Sequence, residues 1–292
     1  MDYQNIDRGC SQGTVGGPGI FSMYTDDLRP LDSTSKNFKY SDDTNCLSPC
    51  MKNPSHQEKE RFSKEIQTIV DWAVENGLSL NTEKSKHIRF CLNRMPCCEC
   101  AYSDEHSVSV NQAKILGVIF QSDCSFRQHC RRLLSELRSS MYLFKDLRAS
   151  GTSIDDIHHV YESLIVSRVR YGISVYGSDS VSLQAIDKFF QKCFDRKYCK
   201  FKFSTMELRH QEDQRHLSNI LKNANHPLHD YLTSHRKSRT PRHKFKSTKP
   251  YVRTKTFLDS FANRVLPFLN IFLCISSKLF YLLACIQLDS LK

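Results

Sequence analysis

The sequence is short of acidic residues: across 292 positions, 31 Asp and Glu stand against 42 Lys and Arg, giving a formal net charge of +11 and a pI near 9.0. Glycine (10), proline (9) and tryptophan (1) are also scarce. The glycine and proline shortage excludes a collagen and a low-complexity scaffold, and 39% hydrophobic residues exclude an intrinsically disordered chain. The shortage of acids favours an anionic partner, although net charge speaks about partners and not about fold. The length suits one large domain or two modest ones, with enough apolar residues to bury a core.

The first eight residues, Met1 to Arg8, contain no apolar run, so we expect no signal peptide and a nuclear or cytoplasmic chain that is not secreted. In those compartments the 13 cysteines are reduced thiols, and their odd number fits a closed disulfide framework poorly. Cys97, Cys98 and Cys100, with His87 and His106 nearby, lack a second pair at finger-like spacing and read as a cysteine-rich surface loop.

Periodicity predicts an α+β chain. Gly13, Gly16, Gly17, Pro18 and Gly19 make a loop entering a helix at Ile20–Tyr24. Phe38-Lys39-Tyr40 and Thr44-Asn45-Cys46-Leu47 flank Ser41-Asp42-Asp43 and read as a β-hairpin carrying carboxylates at its turn. Phe62, Ile66, Ile69, Val70, Ala73 and Val74 share a helical face that ends at Gly77, and Leu78 to Asn81 leave it extended. His87–Leu92 and Lys114–Phe120 each alternate like one strand. From about residue 122 the pattern turns helical. Phe126 to Leu147 carry one apolar stripe ended by Gly151, Ile154 to Ile165 a second, and Leu183 to Phe194 a third, expected to pack as a small bundle separate from the sheet.

Residues 234–255 hold nine Lys and Arg and no acid, and read equally as a polyanion-binding arm or a solvated linker. Residues 265–288 are strongly apolar, but Pro267, Asn270 and Lys278 interrupt them. We expect a buried or exposed C-terminal helix there, or a tail without a role; a membrane tail anchor is the weaker alternative, because Lys278 near its centre is expensive in lipid.

Two acidic pairs compete for chemistry. Asp26-Asp27 follows the first helical run and reads as a helix end in solvent. Asp42-Asp43 lies at the expected hairpin turn, which can aim adjacent carboxylates at a groove, and Mg²⁺ takes hard oxygen ligands of this kind together with substrate phosphates.

Ser11-Gln12-Gly13-Thr14-Val15-Gly16-Gly17-Pro18-Gly19-Ile20-Phe21 followed by Tyr40-Ser41-Asp42-Asp43 resembles consecutive motifs of reverse transcriptases, most closely those of non-LTR (LINE-type) retrotransposons. The order continues with Trp72, with Leu78 to Lys86 as a lysine-bearing loop, with Leu116-Gly117-Val118 as a primer-grip strand, and with Tyr171-Gly172 and His226-Pro227-Leu228 beyond. The likeness covers roughly residues 8–270 and is strongest over the first 120.

The resemblance implies an RNA-directed DNA polymerase. Its fold would be a partial palm over residues 1–121, a helical thumb-like region over 122–204, and a C-terminal region over 205–292 with an irregular basic arm and an apolar tail. It assigns Mg²⁺ (or Mn²⁺) to Asp42 and Asp43, and leaving-phosphate neutralisation or protonation to Lys84 or Lys86. Ser11, Gln12, Gly13 and Tyr40 go to template and incoming nucleotide, and Leu116 and Gly117 to the primer. The implied partners are an RNA template, a DNA primer and deoxynucleotides, with no small-molecule cofactor. Ser11 replaces the family's usual Pro, Ser41 its Ala, and Gly16-Gly17-Pro18-Gly19 its Leu-Gly-Pro-Leu, which loosens the helix start by ~1 kcal/mol per glycine. A two-metal site also takes a carboxylate from well upstream of the Gln-Gly loop, and only about ten residues precede that loop here. The expectation is therefore a polymerase fragment, inactive alone; the alternative is a non-catalytic basic remnant that binds RNA or DNA.

Overall fold

The computed structural model describes residues 15–41, 43–50, 56–90, 106–226, 228–229 and 280–290, the last as backbone only. They divide into two units. The first holds the described residues up to Leu116, with Phe120–Cys124 and 280–290; the second holds Gly117–Ile119 and those from Ser125 onward.

The first unit opens with helix α1 (Gly17–Tyr24), which has Pro18 in its first turn, where the missing N–H costs nothing. Strands β1 (Lys36–Tyr40) and β2 (Asp43–Cys50) form an antiparallel hairpin, with Tyr40 opposite Asp43 and Lys36 opposite Leu47. Helix α2 (His56–Glu75) follows; its Phe62, Ile66, Ile69 and Ala73 recur at helical spacing and pack with Leu28, Cys46 and Leu78 into one core. Burying such side chains stabilises by about 1.5–3 kcal/mol each. Val74, included in the face expected from sequence, instead points to solvent at 68% exposure. The Gly77 N–H closes on the Val74 carbonyl at 3.0 Å, and the chain leaves as β3 (Leu78–Leu80), then β4 (Lys86–Arg89) and β5 (Val108–Ser109).

The centre of this sheet comes from the far end of the sequence. Strand β8 (Phe280–Ser290), numbered last because it follows every other element described below, runs antiparallel between β2 and β4, giving the order β1-β2-β8-β4-β5, and β3 also pairs with β8. Over 280–288 this replaces the helix expected from the apolar run. A short apolar stretch suits a buried strand as well as a helix, and β2 and β4 each have a backbone edge that β8 satisfies. The rest of the apolar run, 265–279, and the basic stretch 234–255 lie outside the described residues, as does the Cys97–Cys100 cluster. Among the described residues no helix is long and apolar enough to cross a membrane.

Residues 114–120, expected as one continuous strand, instead belong to two: β6 (Gln112–Ile115) and β7 (Val118–Gln121), joined by Leu116-Gly117. Leu116 (φ 45°) and Gly117 (φ 85°) both occupy the left-handed region, the signature of the two-residue turn whose twist matches a hairpin. Apolar alternation across residues 114–120 masks this reversal.

The second unit is helical. The single stripe expected over 126–147 is broken at Ser140 into α3 (Arg127–Ser139) and α4 (Met141–Ala149). Next, α5 (Ile154–Tyr161), capped by Ser153, widens into a π-turn at Glu162–Val166 before α6 (Ser167–Arg170) and α7 (Ile173–Tyr176). Helix α8 (Ser180–Asp195) is capped by Asp179 and buries Leu183, Ile186, Phe189, Phe190 and Cys193. Helix α9 (Thr205–Lys222) was not anticipated, because Glu212 and Asp213 occupy its buried face and break the apolar stripe. Arg170 and Arg215 approach the Glu212 carboxylate at 3.4 and 3.6 Å, which makes that burial tolerable.

Candidate functional site

Strands β1 and β2 close on one another at the Tyr40–Asp43 pair, and Ser41, after β1, has φ 55°. Asp42 itself lies outside the described residues, as do Ser11, Gln12 and Gly13. Asp43 is the first residue of β2, half-buried, held between two backbone partners: Tyr40 on β1 and Gln287 on β8.

Register sorts the sheet into two faces. Cys46, Ser48 and His87 face α2, where Phe62 packs edge-on against His87 with ring centroids 5.7 Å apart. Residues directly opposite one another project from the same face, so Tyr40, Asp43, Asn45 and Lys86 share the other one. Asn45 and Lys86 both pair with position 285 of β8, so the strands bearing Asp43 and Lys86 are separated by one intervening strand, roughly 10 Å laterally. Tyr40 is 66% exposed, and Phe38 beside it is also exposed. Lys86 is exposed; Lys84 is exposed too, in the turn before β4, where its N–H is held by the Asn81 side-chain oxygen at 3.1 Å. The sheet thus gathers Tyr40, Asp43 and Lys86 on one face. Leu116 and Gly117 sit at the separate β6–β7 tip.

The hairpin is held from behind by a group that sequence reading missed. Glu65, on α2, is 2% exposed. Its Oε1 accepts from the Leu31 N–H at 3.0 Å and from the Cys46 thiol at 3.8 Å, and its Oε2 accepts from the Ser35 hydroxyl at 3.2 Å. Ser35 in turn meets Ser48 on β2 at 3.0 Å. Burial, with the Glu65 carboxylate beside it, pushes the Cys46 thiol up to about 12. A lone acid on an amphipathic helix usually reads as solvated; the signal was its place one residue before Ile66, inside the apolar stripe.

The other acidic pair stays at the surface side of the unit. Asp26 meets Arg29 at 3.3 Å, and Asp27 accepts from the Trp72 indole N–H at 3.2 Å. The Lys39 ammonium donates to the Thr25 carbonyl, and desolvation lowers its pKa.

Hard carboxylate oxygens at a hairpin tip are the donor type that Mg²⁺ takes, so Asp42 and Asp43 fit such an ion in kind. In number they are two; among the described residues, which do not include Asp42, no group of three or more His, Cys, Asp or Glu is placed to hold a metal ion.

These features sit in a chain that resembles the reverse transcriptases of non-LTR (LINE-type) retrotransposons. It is 24% identical over 183 residues to the RNA-directed DNA polymerase from mobile element jockey of Drosophila funebris, covering 59% of this chain and 20% of that protein. The probable RNA-directed DNA polymerase from transposon X-element of Drosophila melanogaster is 23% identical over 182 residues, with the same coverage. The jockey polymerase of Drosophila melanogaster is 25% identical over 183. The match spans about a fifth of the length of these relatives. No protein-family model matches the chain, and no solved structure matches it at a significant level.

Proposed function

We propose that this chain supplies part of an RNA-directed DNA polymerase of a LINE-type retrotransposon, its sheet unit serving as palm and its helical unit as thumb. The observation that carries this is the β1–β2 hairpin, in which Asp43 opens β2 opposite Tyr40, in a chain whose sequence there reads Tyr40-Ser41-Asp42-Asp43 and which is similar to jockey and X-element polymerases.

In this reading Asp42 and Asp43 hold Mg²⁺ (or Mn²⁺), which when bound supplies charge neutralisation and activation for nucleotidyl transfer. Tyr40, Asp43 and Lys86 share the face on which template and nucleotide lie; Lys86, with Lys84 in the adjoining turn, neutralises phosphate charge. Ser11, Gln12 and Gly13 contact template and nucleotide, and the Leu116-Gly117 tip positions the primer. Partners are an RNA template, a DNA primer and deoxynucleotides. Two-metal chemistry uses a carboxylate beyond the aspartate pair, and in this reading the isolated chain falls short of turnover.

The test is primer extension on an RNA template with Mg²⁺, using the chain alone and a chimera in which it replaces the matching fifth of a jockey polymerase. The expected result is no extension by the chain alone and extension by the chimera that Asp43→Asn abolishes. A folded chimera that does not extend overturns the polymerase assignment. Extension by the chain alone, lost in Asp42→Asn, overturns the inactivity.

A further inference from the structure

Sulfur atoms from separate stretches of the helical unit gather at one place. Cys193, on α8, is fully buried, and its thiol donates to the Met141 thioether at the start of α4 at 3.5 Å. Beyond α8 the chain turns back: Lys197 takes φ 56°, and the Tyr198 N–H donates to the Cys193 carbonyl at 3.0 Å, which keeps the buried Cys199 close by. Tyr161 ends α5 just before the π-turn, a backbone feature frequent at functional sites. It is fully buried, its hydroxyl makes no well-formed hydrogen bond, and the Cys193 sulfur is the acceptor beside it. A buried phenol usually finds a firmer partner than a neutral thiol. The two thiols also feel one another: burial raises Cys199 to about 12, and Cys193 adds to that rise.

The group has a way in from solvent. Met141 lines a cleft of about 440 Å³ between α8 and the α3–α4 corner, which the exposed Arg138, Lys188, Lys192 and Arg196 also line. Burial lifts Cys193 to about 11, but the Tyr161 hydroxyl, Arg196 and Lys192 all pull the other way. Those three groups favour a thiolate, the form in which cysteine binds a metal. Two thiolates and a thioether are soft donors, which select Cu(I), whereas structural zinc closes with four ligands and carboxylate-loving ions avoid sulfur. Metal–sulfur bonds of roughly 2.3 Å set two sulfurs about 4 Å apart around a trigonal ion, within about half an ångström of the Cys193–Met141 separation. A Cu(I) ion held by two thiolates leaves one net negative charge, which the cleft cations offset, and gives the Tyr161 hydroxyl a strong acceptor.

We propose that Cys193, Cys199 and Met141 form a three-coordinate site for a soft monovalent ion, Cu(I), entered through the cleft, with Tyr161 bonding the Cys193 sulfur from behind. Binding exchanges two thiol protons for one ion and changes no oxidation state. The site ties α4, α8 and the segment after α8 together. It goes beyond the polymerase reading and stands without it.

The experiment titrates Cu(I) anaerobically, against the chelator bicinchoninate, into the full chain carrying Cys97→Ser, Cys98→Ser and Cys100→Ser, which removes a competing thiol cluster. One equivalent should bind, raise the melting midpoint, and bind about 100-fold more tightly per pH unit, because two protons leave. Adding Cys193→Ser/Cys199→Ser should weaken binding about 100-fold, and the near-isosteric Met141→Leu about tenfold. Cys130→Ser, a buried thiol elsewhere in the unit, should leave it unchanged. In a chain with ¹³C-labelled methionine methyls, the Met141 resonance, assigned by its loss in Met141→Leu, should move on the first equivalent. Should the double serine variant not fold, as its melting curve reports, the Met141 resonance and Met141→Leu carry the test. A Met141 methyl that stays put while one equivalent binds overturns the proposal, as does a folded double serine variant that binds like its parent. Displacement of the ion by an equal concentration of Zn²⁺ overturns the Cu(I) assignment.

Discussion

Gly117 lies against the ring of Tyr171: a β-carbon on the glycine would sit 3.2 Å from Tyr171 Cε1. The neighbouring residue of the tyrosine repeats the arrangement, since a β-carbon on Gly172 would stand 3.0 Å from Val118 Cγ2. Both glycines have left-handed φ, 85° and 70°. The residues that lead into β7 and α7 therefore meet backbone to side chain in both directions, so an added methyl would require the neighbouring side chain to give by a few tenths of an ångström. Gly117→Ala combines left-handed backbone strain of about 1–2 kcal/mol with this close approach. The urea midpoint of the full chain should fall, whereas Leu116→Gly, which relieves a strained non-glycine φ at an exposed position, should leave it nearly unchanged.

Glu65 ties α2 to the loop before β1 and, through Ser35, to β2. Glu65→Gln keeps the shape but loses the charge that strengthens these bonds, and Glu65→Ala leaves the Leu31 N–H and the Ser35 hydroxyl without it. Expected losses are about 1–3 kcal/mol for the alanine and less for the glutamine, read as denaturant midpoints by circular dichroism. Equal stability of Glu65→Ala and the parent would remove the tie.

The buried thiols should be chemically quiet. Desolvation raises Cys46, Cys130 and Cys199 to about 12 and Cys193 to about 11, so at pH 8 almost none is thiolate. Iodoacetamide at that pH, followed by peptide mass mapping, should label the half-buried Cys124 well before any of these four. Labelling of Cys46 at the rate of Cys124 would contradict its burial.

His129 predicts a dependence on acid. Its ring is buried, accepts from the Ile119 N–H at 3.4 Å and lies 4.6 Å from the Tyr176 ring. Burial lowers its pKa against a raising effect of Glu136, with Arg132 lowering it further. The folded state therefore disfavours the proton. The contribution is complete above the ordinary histidine value of about 6.5 and is lost as pH falls through it towards the folded value, because the unfolded chain takes up a proton that the folded one resists. The melting midpoint should drop between about pH 7 and pH 5, and His129→Phe should drop less over the same interval.

Several elements were legible because their periods are strong and local. The hairpin around Asp42-Asp43, the α2 face of Phe62, Ile66, Ile69 and Ala73, and the buried stripe of α8 follow directly from alternation or 3.6-residue spacing. What escaped did so for physical reasons. Leu116-Gly117 reverses the chain inside an apolar run, so the run looked like one strand. Buried Glu212 and Asp213 disguised α9, because their burial is made possible by partners such as Arg170 that are distant in sequence. Glu65 was missed for the same reason: its worth depends on Leu31 and Ser35, more than 29 residues away. Asp42, Ser11, Gln12 and Gly13 rest on the sequence alone.

By itself the sequence determined the aspartate pair between two short strands, the helical second half, the excess of positive charge and the likeness to retrotransposon polymerases, since each is a matter of residue type, order and local period. Only the tertiary structure decided that residues 280–290 form the strand between β2 and β4, that Tyr40, Asp43 and Lys86 share one face, and that four cations from α3, α8 and its C-terminal end converge on one cleft. The reason is that backbone edges and unpaired charges are satisfied by whatever the fold brings near, and sequence separation carries no record of that proximity.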